Sequence, residues 1–482
     1  MPVWGKLSDL YGRRLLYQIG VGVFLLGSVL SGMSASMTQL IIFRALQGLG
    51  AGALMPLGLT IIGDIYTLKE RARMQAFFSA VWGLASVIGP IVGGFVTEQL
   101  SWRWVFYLNL PIGLAAAVIL GFALKEPRRS GRPIIDYAGA AVLMAAMTML
   151  MLALVEGGGK LSTLTSTPTL ALFAGSAVLT AAFVWIERRA PEPIVPFALF
   201  SNRVVTVSVI AGFLAGIAMF GAISFVPLFA QGVLGATATE AGSLLTPLML
   251  SWVTLSVIGG RLLLKVGYRP TAIVGLVLLT AGFAIFTTFG RGTPRVWLVA
   301  DMAVIGAGLG FTMLTLLIAV QQAVPRSQLG VATSLNQFVR SIGGAVGVAI
   351  MGAVLSAGLA TNLGQIARGN RVPGLSPDRA AELAENPNAL IEPAGRAALP
   401  VGIINALEDA FAAALQNVFK LGTVLAGLAL LAAFWLPGSG ERAEASPPPQ
   451  ACTAETGERL VMAELTTIDS AHEPAAVRDG GV

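Results

Sequence analysis

The chain consists mainly of apolar stretches of about 20 residues, each long enough to cross the hydrocarbon core of a bilayer. Apolar residues make up 55% of the 482 residues, charged residues only 12%, and the mean hydropathy is +0.78. A soluble protein of this length could not bury so much apolar surface. We therefore predict an all-α integral membrane protein with about twelve spans, near residues 17–36, 39–63, 76–97, 104–124, 137–155, 168–186, 204–230, 238–259, 270–289, 296–319, 329–357 and 418–436.

Lysine and arginine are distributed unequally between the two sets of short loops. The loops on one side carry most of these cations, for example Lys69, Arg71 and Arg73, whereas those on the other side hold few. By the positive-inside rule, both termini are predicted to be cytoplasmic and the protein to be multi-pass in the cytoplasmic membrane. The pI near 9.7 follows from this topology, so no nucleic-acid partner is implied.

Charged, proline-bearing stretches divide the chain into segments. Two such stretches, at 125–136 and 187–203, isolate a pair of spans between them. The predicted units are an N-terminal bundle of four spans at 1–124, an inserted two-helix unit with its linkers at 125–203, a C-terminal six-helix bundle at 204–436 with a long outer loop at 358–408, and a disordered cytoplasmic tail at 437–482. The outer loop is expected to be partly helical around 377–385.

The distribution of reactive residues excludes several kinds of chemistry. The single cysteine, Cys452, and the single histidine, His472, both lie in the tail. A disulfide framework, a histidine-bound metal site and histidine catalysis within the spans are therefore not expected. No G-x-x-x-x-G-K-[ST] pattern and no nucleophile–base pair is visible. We predict a protein that is not an enzyme, takes no cofactor or metal and does not use ATP.

An internal repeat relates the two halves of the chain. A first set of residues recurs at an offset of 255, with Gly5-Lys6-Leu7, Gly12 and Arg14 matching Gly260-Arg261-Leu262, Gly267 and Arg269. A second set recurs at an offset of 258, with Gly48, Gly50 and Gly52 matching Gly306, Gly308 and Gly310. Two matches in the same order predict a duplicated helical bundle, a plan in which transporters place their substrate pathway between the halves. The copy is imperfect, since Leu264 stands where the first half has Asp9.

The segment Gly5–Arg14 combines glycines with three cations and an acid. Two glycines seven residues apart predict a tight reversal of the chain, and the cations suit a loop at the inner membrane face. The candidate gating residues are Gly5, Asp9, Gly12, Arg13 and Arg14.

The second span contains an arginine within apolar sequence. Arg44 shares a small, polar helix face with Gln47 and Gly48. An arginine inside the membrane costs about 2.5–3.5 kcal/mol on insertion scales, so it normally faces water or an acidic partner. The alternative is that Arg44 extends to the nearby interface.

The third span contains Gly89, Pro90, Gly93 and Gly94. Glycines four apart permit the close approach of another helix, and Pro90 removes a helical hydrogen bond. Ordinary helix packing explains this pattern as well as a functional site does.

These motifs together resemble the major facilitator superfamily, and specifically its fourteen-span drug:proton antiporters, the EmrB/QacA-like group. Gly5–Arg14 is similar to the superfamily's signature loop, Arg44–Pro56 to its fourth-helix motif and Gly89–Gly94 to the fifth-helix motif of export antiporters. Trp102–Gly113 is similar to a segment typical of the fourteen-span group. The similarity extends from residue 1 to about 436.

The resemblance implies roles for these residues. Asp9 and its basic neighbours would form a charge-relay latch between the halves, Arg44 would handle protons, and Gly89-Pro90 would prevent leakage. The spans at 137–186 would be the insert that converts a six-plus-six plan into six-plus-two-plus-six. Compared with the second half, the first helix and most of the second are expected to be missing upstream of residue 1.

Three functions remain open at this stage. The first is proton-coupled efflux of lipophilic or cationic drugs and toxic small molecules, with Arg44, Gln47, Asp301 and Arg340 on the proton and substrate pathway. Asp301 is the one acid clearly within a span, either as a proton carrier or paired with Arg295. The second is export of one defined metabolite or lipid by the same fold. The third, a non-transporting membrane sensor, is disfavoured by the charged motifs.

Overall fold

The computed structural model describes residues 1–123, 135–157, 163, 165–368 and 400–437, and every regular element in these ranges is helical. Contacts divide the chain into Met1–Glu441 and Arg442–Val482. The predicted disordered tail, with Cys452 and His472, and the predicted helix around 377–385 both lie outside the described residues.

Fifteen α-helices are labelled in chain order within the described ranges. They are α1 Pro2–Tyr11, α2 Arg13–Met33, α3 Met37–Ile65, α4 Leu68–Gln99, α5 Trp104–Tyr107, α6 Asn109–Ala123, α7 Tyr137–Glu156, α8 Thr167–Glu187, α9 Arg203–Gly232, α10 Ala238–Ser243, α11 Leu245–Val266, α12 Tyr268–Phe286, α13 Arg295–Gln322, α14 Leu329–Arg368 and α15 Val401–Ala433.

The helices agree with the predicted membrane spans. Among the described residues, eleven helical segments are long and apolar enough to cross a bilayer. The remaining predicted span, 76–97, lies in α4, a continuous helix of 32 residues. The all-helical membrane fold is therefore confirmed.

The predicted outer loop at 358–408 is shorter than the sequence pattern indicated. Helix α14 continues to Arg368 and α15 begins at Val401. Leu359, Leu363 and Leu407 are buried in the large apolar cluster of the second half. The helices extend past the predicted ends because these side chains pack against neighbouring helices, which hydropathy along a single chain does not reveal.

The repeat seen in the sequence has a counterpart in backbone conformation. Gly12 joins α1 to α2 with φ 98°, and Gly267 joins α11 to α12 with φ 90°. The two glycines are 255 positions apart, and both lie in the left-handed region that residues with a Cβ rarely adopt. Each glycine thus makes the same sharp reversal in its half of the chain.

The second repeated glycine set brings helices together at equivalent crossings. A Cβ added at Gly50 on α3 would lie 2.7 Å from the Gly20 carbonyl oxygen on α2. A Cβ added at Gly308 on α13 would lie 2.8 Å from the Gly275 carbonyl oxygen on α12. Gly20 and Gly275 differ by 255 and Gly50 and Gly308 by 258, the offsets found in the sequence. The pair α2–α3 therefore packs as the pair α12–α13 does, with backbones in near contact.

The pair α7–α8, predicted as an insert, packs as a helical hairpin. The Ser176 hydroxyl on α8 donates to the Ala146 carbonyl on α7 at 2.9 Å. Ala140 and Phe183 of this pair belong to one apolar cluster with Val331 and Leu335 of α14. The hairpin therefore packs beside the first turns of α14.

The crossing of α2 and α3 yields a stability prediction. Gly50→Ala should lower the thermal unfolding temperature in detergent, because overpacking costs about 1–3 kcal/mol. Gly48→Ala, two residues away, should leave it unchanged or raise it, since Gly48 has no neighbour within 4 Å among the described residues and alanine favours helix by up to about 1 kcal/mol. Equal effects of the two substitutions would contradict the close crossing.

Candidate functional site

A latch joins α1 to the first turn of α14, on the side predicted to be cytoplasmic. The Asp9 carboxylate, 6% exposed, accepts hydrogen bonds from the backbone N–H groups of Gly330 and Val331, both at 2.9 Å. Free N–H groups at a helix N-terminus carry partial positive charge, so a carboxylate binds them well. Asp9 thereby connects the first and second halves of the chain, across 321 positions of sequence.

Arg13 strengthens the latch from the other side of the Gly12 turn. Its guanidinium donates to the Asp9 carboxylate at 3.4 Å and to the Arg326 carbonyl at 3.0 Å, and it forms an ion pair with Asp64. One arginine thus contacts α1, α3 and the loop before α14. The planar guanidinium has five N–H donors in a fixed arrangement, so it can serve several acceptors at once.

The prediction that Gly5–Arg14 forms a reversing turn is wrong for most of the segment. Residues 2–11 are helical and the reversal occurs at Gly12 alone. Gly5 instead permits close packing, because a Cβ there would collide with the Ser334 hydroxyl and lie 2.5 Å from the Gly330 carbonyl oxygen. The glycine spacing was interpreted as turn chemistry, whereas one of the two glycines serves helix contact. Arg14 is half-buried at the start of α2.

A second contact between the halves lies beside the latch and was missed in the sequence. The Gln75 amide on α4 donates to the Gln321 side chain on α13 at 2.9 Å. The Gln321 amide in turn donates to the Leu59 carbonyl and the Thr333 hydroxyl, both at 3.2 Å. Gln75 and Gln321 are 2% and 3% exposed. The sequence signal that could have marked these two residues is an uncharged amide at the end of each apolar span.

A central cavity lies between helices of the two halves and is lined by residues of both. Its walls are mostly methionine, aromatic and aliphatic side chains, with a few polar groups: Met55, Leu59, Gln75, Phe78, Ser79, Gly83, Met219, Phe220, Met249, Trp252, Val253, Met313, Leu314, Leu317, Gln337, Arg340 and Ser341.

Arg340 places a positive charge on this cavity. Its guanidinium contacts the Met313 sulfur at 3.6 Å, and its alkyl stem packs on α9, where a Cβ at Gly216 would lie 3.1 Å from Arg340 Cγ. Of the cavity-lining residues that the structure describes, Arg340 alone carries a charge.

Arg44 and Gln47 are brought together, but away from the central cavity. The Arg44 guanidinium donates to the Gln47 side chain at 2.5 Å and lies over the Phe106 ring at 5.7 Å. The Gln47 amide donates to the Ser28 hydroxyl at 3.0 Å, and Ser28 also accepts from Asn109 at 3.1 Å. This polar chain ties α2, α3 and α6 together. Arg44 itself is exposed, which leaves both of its predicted roles open.

Asp301 is buried without the partner suggested for it. Its side chain is 3% exposed, and neither carboxylate oxygen has a hydrogen-bond partner among the described residues. The predicted pairing with Arg295 is wrong, because Arg295 lies 3.7 Å from Glu240 and donates to the Ser243 hydroxyl at 3.0 Å. Arg295 begins α13, whereas Asp301 lies almost two turns further along it. Asp301 is also absent from the described lining of the central cavity.

The glycine motif of the third span does not mark a tight helix contact. Gly89, Pro90, Gly93 and Gly94 all lie within α4. A Cβ added at any of the three glycines would meet no atom within 4 Å beyond the local helix backbone, among the residues described. The sequence pattern permits another helix to approach these glycines closely, and no such contact is present among the described residues. Glycine spacing permits close approach but does not require it.

Comparison with known proteins places these features in one family. The Major Facilitator Superfamily profile matches residues 1–348. The chain is 43% identical over 357 residues to the multidrug transporter protein MdtP of Bacillus subtilis, covering 74% of this chain and 66% of that protein. It is 37% identical over 424 residues to multidrug resistance protein 3 of Bacillus subtilis, covering 88% and 82%. The chain thus spans just under two thirds of the length of MdtP.

Solved structures show the same fold at low sequence identity. The proton:xylose symporter XylE superposes with a TM-score of 0.51 at 15% identity, covering 91% of this chain and 83% of that chain.

The latch predicts how Asp9 controls access to the interface. Asp9→Asn should open the contact between α1 and α14, because the amide can accept one of the two N–H bonds but presents a donor to the other. In a Cys452→Ser background, Ala72→Cys reports opening, since a Cβ at Gly260 would lie 3.4 Å from Ala72 Cβ and Ala72 is 3% exposed. In everted vesicles, a membrane-impermeant maleimide should label the thiol at position 72 about fivefold faster or more when Asp9→Asn is also present.

A matched control is Glu98→Gln, an exposed acid at the end of α4. Glu98→Gln should leave the labelling rate unchanged. Equal labelling rates for Asp9→Asn and the unsubstituted chain would show that the carboxylate does not hold the halves together.

Proposed function

Since this chain belongs to the major facilitator superfamily, we propose that it exports lipophilic drugs and other toxic small molecules in exchange for protons. Its family is one of multi-pass membrane transporters for small molecules, and relatives named multidrug transporters support efflux in general. An enzyme is not indicated by the family. The proton exchange and the substrates are the proposed part.

The observation that carries the proposal is the central cavity, whose walls come from both halves of the chain. Met55 and Phe78 contribute from the first half, and Met219, Met249 and Trp252 from the second. Methionine side chains are flexible and polarisable, so they adapt to ligands of different shape. This lining favours several lipophilic substrates over one defined metabolite or lipid, which is the remaining alternative. Among the aromatic and methionine residues of the second half, Phe220 and Met249 line the cavity, whereas Phe225 and Phe229 are buried in the bundle.

Transport requires that the cavity face each side of the membrane in turn. The latch at Asp9 and the Gln75–Gln321 contact are placed to close one side, and we assign that side to the cytoplasm from the distribution of cations. Breaking these few hydrogen bonds would let the halves separate there while the repeated crossings inside each half stay intact. Parallel repeats that rock about a shared site are a known transporter design.

The architecture is proposed to be that of the fourteen-span antiporters in the cytoplasmic membrane. The hairpin of α7 and α8 would be the two-helix insert between an N-terminal and a C-terminal bundle, with both termini cytoplasmic. The packing of this hairpin beside α14 supports an insert that contacts the second half.

Proton coupling needs a group that can gain and lose a proton during the cycle. Asp301 is the candidate, because a buried carboxyl without a hydrogen-bond partner is costly to keep ionised and binds a proton readily. Arg44 and Gln47, on the first half, are proposed to conduct protons or stabilise that half through the Ser28 hydrogen bonds.

Everted vesicles test the transport proposal. Acidifying the lumen should drive uptake of at least one of a panel of radiolabelled lipophilic compounds, chosen to include anions, neutral molecules and cations. A protonophore should abolish this uptake, whereas removal of ATP under an imposed gradient should not. Vesicles from cells lacking the protein are the control. Uptake that needs ATP and survives collapse of the gradient would rule out proton antiport.

Asp301→Asn separates coupling from binding. The amide keeps the shape of the side chain but cannot carry a proton, so gradient-driven accumulation should fall at least about tenfold while equilibrium binding of the same compound persists. The matched control is Asp409→Asn, an exposed acid on α15 that should leave both measurements unchanged. Accumulation by Asp301→Asn at the unsubstituted level would remove Asp301 from the proton pathway.

A further inference from the structure

We propose that the central cavity selects lipophilic anions, and that Arg340 forms an ion pair with the acidic group of the substrate. This inference rests on the proposed transport function and names the substrate class of the same cavity. It narrows the sequence expectation, which admitted lipophilic cations equally.

The position of Arg340 within the membrane span makes its positive charge energetically unfavourable unless it is stabilised. Arg340 is the twelfth residue of α14, about 17 Å along the helix from Leu329. The hydrocarbon core of a bilayer is about 30 Å thick, so this position lies near its middle. The side chain cannot reach the interface by extension from there, unlike that of Arg44 near the end of its span. A charge at this depth is stabilised by water, by a counterion or by a ligand.

No carboxylate of the described residues neutralises Arg340. Some other cations among the described residues do have acidic neighbours: Arg13 pairs with Asp64, Lys6 with Glu192 at 2.6 Å and Arg295 with Glu240 at 3.7 Å. For Arg340 the structure gives instead one polar side-chain contact, the Met313 sulfur at 3.6 Å, and thioether sulfur is a weak acceptor. The guanidinium therefore retains donors for an acidic group within the cavity.

Packing constrains the first part of the Arg340 side chain beside the cavity. The stem of Arg340 lies against Gly216 of α9, where a side chain of any size would overlap it. The polar groups beside it belong to the same face of α14, at Gln337 three residues before and Ser341 one after. A preorganised donor set binds an anion at lower entropic cost than a mobile side chain does.

The remaining polar atoms indicate a second feature of the ligand. The Gln337 side-chain oxygen is buried and has no hydrogen-bond partner among the described residues. A hydroxyl or amide N–H on the substrate would satisfy it, since a buried acceptor without a partner is energetically unfavourable. The apolar walls around Phe220 and Trp252 would hold the hydrocarbon or aromatic body.

A cationic substrate is disfavoured by the same geometry. Its charge would approach Arg340 in an environment of low dielectric, where like charges repel strongly. No acid among the described lining residues offsets this repulsion, because Asp301 is not one of them. The chemistry of the cavity therefore predicts that binding affinity is highest for an anion, lower for a neutral compound and lowest for a cation.

Three probes with one ring system test this order: 1-naphthylacetate, 1-naphthylacetamide and 1-naphthylmethylammonium. Equilibrium dialysis of each radiolabelled probe against the purified full chain in detergent measures binding without any proton gradient. The anion should bind about tenfold or more tighter than the amide, because a hydrogen bond between two charged groups is stronger than one to a neutral acceptor. The ammonium probe should bind least. Replacing chloride by gluconate in the buffer should not weaken binding of the anion.

Two variants at Arg340 and one control assign the effect to the guanidinium. Arg340→Met should reduce the affinity for the anion to that for the amide and leave the affinity for the amide unchanged, which also reports that the variant is folded. Arg340→Lys should retain part of the preference. Arg368→Met, at the exposed end of the same helix, should change none of the three affinities.

Two results would overturn the inference without touching the transport proposal. One is tighter binding of the ammonium probe than of the anion by the unsubstituted chain. The other is an equal loss of affinity for anion and amide in Arg340→Met. Conversely, the expected binding order combined with no gradient-driven uptake in vesicles would support the anion site and contradict proton antiport.

Discussion

The hydrogen bonds between the Asp9 carboxylate and the first turn of α14 are the interaction on which the arrangement of the halves depends. A carboxylate at a helix N-terminus satisfies backbone donors that have no partner within their own helix. Here donor and acceptor belong to segments more than 300 residues apart. Separation of the halves would leave these two N–H groups without the carboxylate as their acceptor.

The duplicated halves are symmetric in packing and asymmetric in charge. A Cβ added at Gly5 would lie 2.5 Å from the Gly330 carbonyl oxygen, and one added at Gly260 would lie 3.5 Å from the Ala72 carbonyl oxygen. Both contacts join the two halves, and the offsets of the repeat relate them. Yet Leu264 occupies the place of Asp9, so the second contact has no carboxylate. The contact between α1 and α14 is therefore stabilised by a carboxylate, whereas the contact between α4 and α11 is apolar. The Gln75–Gln321 hydrogen bond also joins the halves.

Sequence patterns predicted features that depend on local chemistry and missed those that depend on neighbours. The spans follow from hydropathy, and Gly12 and Gly267 follow from a conformation that favours glycine. Gly5 was misassigned because glycine serves equally in turns and in helix contacts, and only the position of Gly330 distinguishes them. The spacing of Gly89 and Gly93 permits close packing, and the described residues contain no neighbour that uses it. The Gln75–Gln321 bond joins residues 246 positions apart, so no local pattern could reveal it. Arg340 was assigned to the pathway from sequence, but its lack of an acidic partner among the described residues is visible only in three dimensions.

The unpaired guanidinium of Arg340 has an energetic consequence for the whole cycle. If each anion leaves the cell in exchange for one entering proton, both movements carry positive charge inward, and each turnover transfers two charges. An inside-negative potential then contributes about 4.6 kcal/mol per 100 mV, twice the value for one charge. Exchange of a monovalent cation for one proton would transfer no net charge. The charge on one cavity side chain would thus decide whether the membrane voltage drives the export.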